Sequence, residues 1–178
     1  MQLDDLANTA GEWLRGSGPE SDIVMSSRIR LARNLADFPF ISRCSPADRT
    51  AIEQTLREPT ISLADQGEIF YAEVDKLEEL DRQFLVERHL ISREHAESEG
   101  IRSVAIGRDE QVSLMVNEED HLRIQVIRSG LDLQAVWKEI DELDDQLEAH
   151  LTYAVSPKLG YLTACPTNVG TGMRVSVM

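Results

Sequence analysis

The sequence predicts an α+β fold in which a largely antiparallel sheet is flanked by helices. Segments that alternate apolar and polar residues, as strands do, are interspersed with segments whose apolar residues recur at helical spacing. Several strand candidates are separated only by short turns, which favours antiparallel pairing over long crossover connections. The chain has 178 residues, which is enough for one domain with a core of its own.

The strand candidates are defined by period-two alternation. In residues 23–31, Arg28 and Arg30 fall on the same face because successive strand residues point to opposite faces. Alternation resumes at residues 122–127, where Arg123 and Gln125 lie opposite the apolar positions. The other candidates are residues 69–74, a hairpin of 104–106 with 111–116, and the segments 160–164 and 172–178.

The helix candidates are defined by apolar stripes and end signals. Ser45 can cap a helix that Pro46 opens, and this helix is expected to end before Pro59. The others are predicted at residues 3–14, 76–90 and 133–154. The acidic run between residues 139 and 148 is interpreted as a solvated face of the last helix. Residues 1–20 are thus predicted to be an N-terminal helix and linker, and residues 21–178 the main domain.

Composition excludes several classes of protein. The net charge of −14 would repel nucleic-acid phosphates, which argues against direct nucleic-acid binding. Neither a signal peptide nor an apolar stretch long enough to span a membrane is found. The two cysteines, Cys44 and Cys165, and the four histidines show no disulfide framework or metal-ligand spacing. A reducing cytoplasm is therefore the predicted compartment.

Three polar segments stand out at the predicted strands, and the first is residues 26–34. Two arginines on one strand face, Arg28 and Arg30, can hold phosphates through their planar, multi-donor guanidinium groups. An equally good explanation is a pair of surface arginines on the wet face of a strand. Spacing alone leaves both interpretations open.

The second segment is residues 117–123, in which three carboxylates are adjacent. Glu118, Glu119 and Asp120 would repel one another unless they bind a cation, a metal or a basic group such as a guanidinium. An acidic surface loop is the alternative.

The third segment, residues 165–174, is a tight loop rich in Pro, Asn and Gly. Cys165 at its mouth could be a reactive thiol or a small buried apolar residue, and Arg174 could join a phosphate clamp.

Taken in this order, the three segments resemble the motifs of the phosphagen (guanidino) kinases, which use ATP to phosphorylate guanidinium groups. The resemblance covers nearly the whole chain, and its specific stretches are NEEDHLR at 117–123 and CPTNVGT at 165–171. Residues 18–24 and 160–163, which lead into the first and third motifs, are typical of the bacterial branch that phosphorylates arginine residues in proteins. Only 25 residues precede Ser26, where members that act on small guanidines carry a helical domain, and this also favours an acceptor on a protein.

The resemblance implies a role for individual residues. Glu119 would be the catalytic carboxylate that orients the acceptor, Glu118 a second carboxylate beside it, and Cys165 the reactive cysteine of the family. His89 would contact the nucleotide, and a helix-end cap is the structural alternative for this residue. No metal ligands are expected from the protein, and ATP with Mg²⁺ would be bound by Ser26, Ser27, Arg28, Ile29, Arg30, His89, Arg123, Arg174, Val175, Ser176, Val177 and Met178.

The resemblance also implies features beyond the site. The domain of the family continues past the third motif with a further arginine and a second carboxylate, so the chain is expected to be incomplete at its C-terminal end and weakly active or inactive by itself. The implied partners are arginine-bearing protein substrates, a stress-gene repressor, a zinc-binding activator and a Clp-type protease, with a homodimer as the full-length assembly. The alternatives are a small-molecule guanidino kinase and an inactive nucleotide-binding fragment.

Overall fold

A six-stranded antiparallel sheet organises the computed structural model, which describes residues 3–63 and 69–178. Its strands are β1 (Ser26–Arg33), β2 (Ile69–Glu73), β3 (Ser103–Gly107), β4 (Val112–Val116), β5 (Leu122–Ser129) and β8 (Met173–Val177), and a separate short hairpin pairs β6 (Val155–Ser156) with β7 (Gly160–Tyr161). The order across the large sheet is β2-β3-β4-β5-β1-β8, with every neighbouring pair antiparallel. The predicted α+β class with a largely antiparallel sheet is confirmed.

Helices pack on both faces of the sheet, against different strands. In the described part of the chain the α-helices are α1 (Leu3–Ala7), α2 (Pro46–Leu63), α3 (Glu79–Glu87), α4 (Arg93–Glu97) and α5 (Leu133–Glu148). Apolar residues of α2 and α5 pack on β1, β4 and β5 in the larger core cluster. On the opposite face, α1 and α3 pack on β2, β3 and β4 in a second cluster. The β5-β1-β8 half of that face therefore lies outside the second cluster, and it carries polar residues.

Two predicted helices are shorter than the periodicity indicated. The segment 3–14 is divided into α1 and a 3₁₀ turn at Glu12–Leu14. Residues 8–11 separate the two, and at Gly11 a Cβ atom would lie 2.4 Å from an oxygen of Glu110. The helix expected at residues 76–90 begins at Glu79, after a 3₁₀ turn at Val74–Lys76, and ends at Glu87.

The other two helices end at unexpected places. The prediction that α2 ends before Pro59 is wrong, because α2 continues to Leu63 with Pro59 inside it. Proline removes one amide donor, and burial of the neighbouring Leu56 and Thr60 keeps the following turn packed on the core. The prediction that α5 extends to residue 154 is also wrong, because the chain turns away after Glu148 and the amide of Ala154 donates to the carbonyl of Asn34.

The interpretation of the acidic run on α5 as a solvated face is wrong at one position. Asp144 is buried, whereas Asp141, Glu142 and Asp145 are not. Trp137, an apolar residue on the same helix, is 43% exposed. Within the part of the chain that the structure describes, no helix is long and apolar enough to cross a membrane.

Candidate active site

Four arginine side chains share the polar half of one sheet face. Arg30 of β1 is in register with Arg174 of β8, and the neighbouring position Ala32 is in register with Arg123 of β5. Residues directly opposite each other in an antiparallel pair lie on the same face, and Arg28 follows by alternation. Arg28, Arg30, Arg123 and Arg174 together are called the arginine face below.

The charges of the arginine face repel one another. Burial lowers the pKa of Arg28, and the charges of Arg174 and Arg123 lower it further. Burial, followed by the charges of Arg28 and Arg123, lowers the pKa of Arg30 to about 10. A set of partly buried guanidinium groups that destabilise each other is stabilised by an anion of several charges placed among them. The arginine face therefore fits the phosphates of a nucleotide.

Hydrogen bonds fix the direction of two of these arginines. Arg28 Nε donates to Ser176 Oγ at 3.1 Å, and Arg30 Nε donates to Gln125 Oε1 at 2.7 Å. The amide nitrogen of Gln125 donates in turn to the carbonyl of His89 at 2.6 Å and to Ser113 Oγ at 3.1 Å. Gln125 was not assigned a role from the sequence, although its place beside Arg123 in the alternation of β5 puts it on the arginine face.

His89 lies at the edge of the arginine face, at the C-terminal end of α3. Its backbone is left-handed, with φ 59°, and the amides of His89 and Leu90 donate to the carbonyls of Val86 and Leu85, which is the Schellman pattern of a helix end. The predicted structural role at a helix end is thus present. Burial and the charges of Arg28 and Arg30 lower the pKa of His89, which disfavours a further positive charge beside the arginine face.

Glu118 is a buried carboxylate that holds its neighbours in place. Its Oε1 accepts from Arg123 Nη1 at 2.6 Å and from Ser92 Oγ at 2.5 Å. Its Oε2 accepts from the backbone amide of Glu119 at 3.1 Å. With both oxygens occupied and its side chain 2% exposed, Glu118 orients Arg123 and the backbone of Glu119. Ser92, which also caps α4, is a supporting residue without a signal of its own in the sequence.

Glu119 differs from Glu118 in being accessible. Its side chain is 49% exposed, and its closest ionic contact is with Arg123 Nη2 at 3.4 Å. Burial and the neighbouring Asp120 raise the pKa of Glu119, while Arg123 opposes this rise. An exposed carboxylate beside the end of the arginine face can accept the paired N–H donors of a guanidinium.

A buried junction joins the first two polar segments to Ala164, the residue that precedes the third. Asp120 Oδ1 accepts from Asn34 Nδ2 and from the amide of Ala164, both at 2.6 Å. Asn34 Oδ1 accepts from the amide of His121 at 2.9 Å. Because Cys165 follows Ala164, the junction keeps this cysteine in the neighbourhood of Glu119. The Cys165 sulfur lies 2.9 Å from Thr167 Oγ1.

Four residues expected at the nucleotide have side chains on the opposite face of the sheet. The hydroxyl of Ser27 donates to the carbonyl of Gly130 at 2.7 Å, and Ile29 is part of the core. Val175 and Val177 are in register with these two residues and share their face. Ser26 and Ser176 alternate onto the arginine face, and the backbone of Met178 pairs with Met25 and Ser26.

Comparison with known proteins gives a consistent result. The model of the ATP:guanido phosphotransferase C-terminal catalytic domain matches residues 51–178. The protein-arginine kinase of Halothermothrix orenii is 49% identical over 181 residues, which cover 100% of this chain and 51% of that protein. The corresponding enzyme of Symbiobacterium thermophilum is 49% identical over 182 residues, covering 100% and 52%. The chain thus spans about half the length of these curated relatives.

Solved structures show the same architecture. The substrate-free duplicated taurocyamine kinase of Schistosoma mansoni has a TM-score of 0.80 and 27% identity, over 99% of this chain and 26% of that one. Lombricine kinase, at 24% identity and a TM-score of 0.72 over 99% of this chain and 51% of that one, shares the fold. With the family model matching most of the chain, the resemblance first seen in three polar motifs is confirmed: the chain belongs to the ATP:guanido phosphotransferase family.

Proposed function

We propose that this chain binds ATP on the arginine face and takes part in phosphorylating arginine residues of proteins. The observation that carries the proposal is the arrangement of Arg28, Arg30, Arg123 and Arg174 on one open half of the sheet, next to the exposed carboxylate of Glu119. Phosphoryl transfer depends on positioning and on neutralising charge more than on covalent catalysis. The arrangement offers cations for the donor and an anion for the acceptor within one continuous surface.

The arginine face is the proposed binding site for MgATP. The arginine face binds the phosphates, and the bound MgATP supplies the phosphoryl group. Within residues 3–63 and 69–178, no group of three or more His, Cys, Asp or Glu side chains could hold a metal ion. Mg²⁺ would therefore be bound mainly through phosphate oxygens and water, which it commonly retains as ligands.

Glu119 is the residue that prepares the acceptor. A guanidinium is a poor nucleophile because its charge is delocalised and its pKa lies above about 12. The carboxylate of Glu119 fixes the plane of this group and can take up a proton as the new bond to phosphorus forms. Its raised pKa favours proton uptake. Glu118, which is fully hydrogen-bonded, keeps Glu119 and Arg123 in position.

A protein acceptor is supported by the names of the relatives. The curated relatives that are 41–49% identical over nearly all of this chain are described as protein-arginine kinases. We extend to this chain their acceptor class, with residues 21–178 as the catalytic domain after an N-terminal segment. A cytoplasmic location, a homodimer of the full-length protein, and stress-related partners (a repressor, a zinc-binding activator and a Clp-type protease) belong to the same proposal.

The test is phosphate transfer from ATP. Because this chain spans about half the length of its relatives, the full-length protein is incubated with MgATP and either an arginine-rich protein or free arginine, and acid-labile phosphate on arginine is measured by mass spectrometry. The proposal predicts modification of protein arginine that is lost in the Glu119→Gln variant. Modification of free arginine only would support a small-molecule guanidino kinase. Nucleotide binding without any transfer, unchanged by Glu119→Gln, would support a binding-only role and contradict the proposal.

A further inference from the structure

Arg33 is a buried arginine that faces away from the nucleotide. It ends β1 on the face opposite the arginine face and is 3% exposed. Its Nε lies 3.1 Å from both carboxylate oxygens of Asp144 on α5, and its Nη2 lies 2.5 Å from Oδ2. A bidentate pair of this kind is strong and directional. The pair connects the end of β1 to α5.

The remaining donors of Arg33 bind the end of the loop that carries Cys165. Its Nη1 donates to the carbonyl of Thr171 at 3.0 Å and to that of Ala32 at 2.9 Å. The approach is so close that a Cβ atom on Gly172 would lie 2.5 Å from this nitrogen. We call residues 161–172 the cysteine loop.

Arg33 also binds the beginning of the cysteine loop. The guanidinium lies over the ring of Tyr161 at 3.6 Å from its centroid, a cation–π contact. The amides of Tyr161 and Gly170 donate to each other's carbonyls, so the loop is closed at its base. One side chain therefore contacts both ends of the loop, while Asp120, next to Glu119, holds its middle through the amide of Ala164.

We propose that Arg33, held by Asp144, is a positioning residue that fixes the cysteine loop against the acceptor carboxylate. A buried ion pair is stable only when its hydrogen bonds are well satisfied, and here those bonds extend from α5 to both ends of the loop. Lysine would keep the charge of Arg33 but lose the planar fork and the stacking on Tyr161. The link to catalysis rests on the proposed function, whereas the ordering of the loop does not.

The experiment is amide hydrogen exchange followed by mass spectrometry on the wild-type chain and the Arg33→Lys variant. We expect the amides of the cysteine loop to exchange roughly tenfold faster or more in the variant, because local opening becomes easier. The amides of β3 and β4 should keep their wild-type protection. The matched control is Arg128→Lys, since Arg128 also pairs with α5, through Glu139 at 2.9 Å, but has no bond to the loop; it should leave loop exchange unchanged.

Two results would overturn the proposal. If amide exchange accelerates equally in the cysteine loop and in β3 and β4, Arg33 contributes to general stability. If exchange in the cysteine loop does not accelerate, Arg33 does not order the loop. If Arg33→Lys fails to fold, Tyr161→Leu is measured in the same way, because it removes only the stacked ring. Nucleotide titration of the wild-type chain is done in parallel: a lack of binding would refute the proposed function and leave the exchange result intact.

Discussion

Replacing Arg30 by methionine should weaken nucleotide binding without weakening the fold. A change of pKa from 12.5 to about 10 corresponds to a penalty on the charged form of about 3 kcal/mol. Since the folded-state pKa lies below that of the unfolded chain, this penalty applies in full below about pH 10 and is relieved above it. At neutral pH, Arg30→Met removes the penalty but leaves Gln125 Oε1 without its donor, which costs about 1–3 kcal/mol. The unfolding free energy should therefore stay constant or rise by up to about 2 kcal/mol.

The same substitution removes one charge-assisted contact to the phosphates. Such a contact contributes about 1.5–3 kcal/mol, so the Kd for MgADP should rise about 10- to 100-fold. Calorimetric titration measures the Kd, and urea unfolding without nucleotide measures stability. Arg128→Met is the control, because its side chain lies on the opposite face of the sheet and its loss should leave the Kd unchanged. An unchanged Kd in Arg30→Met, or a loss of stability larger than about 2 kcal/mol, would refute the reasoning.

Three further predictions concern other parts of the molecule. Glu119→Gln should keep the wild-type affinity for MgADP and reduce any measured phosphoryl transfer by about 100-fold or more; equal transfer by both proteins would contradict its role. Burial lowers the pKa of His95 to about 3, so the unfolded chain binds a proton near pH 5 that the folded chain does not, and the wild type should lose about 2 kcal/mol more stability than His95→Gln between pH 7 and pH 5. An equal loss of unfolding free energy in the wild type and in His95→Gln between pH 7 and pH 5 would contradict this prediction. Gly172→Ala should destabilise the fold by about 1–3 kcal/mol, because the backbone has φ +64° and a Cβ atom would meet Arg33. If the variant unfolds at the same urea concentration as the wild type, this prediction is wrong.

The sequence predicts well which side chains of a strand share one face of the sheet. Alternation in β1 put Arg28 and Arg30 on one face, and alternation in β5 separated Arg123 and Gln125 from the apolar positions. Both assignments agree with the register of the sheet, because a side-chain period of two leaves no other choice once one face is buried. The pairing of β8 with β1, which adds Arg174, is a long-range contact that no local pattern contains.

The contacts that hold the site together could not be read from local patterns. Asp144 lies in an acidic run in which every position resembles a solvated one, and its partner Arg33 is 111 residues away in sequence. The path of the chain after α5 likewise depends on a distant residue, because the carbonyl of Asn34 accepts a hydrogen bond from the amide of Ala154. Such features depend on which elements meet in space, and only the packed structure determines that.

The most direct test of the account is a crystal structure of this chain with MgADP. The account predicts that the phosphates lie among Arg28, Arg30, Arg123 and Arg174, with the metal held by phosphate oxygens and Glu119 left open to the acceptor. A cavity of about 700 Å³, lined among others by Arg15, Arg108 and residues of α5, offers an alternative location away from the arginine face. Phosphates bound in that cavity, with the arginine face free, would contradict the central claim.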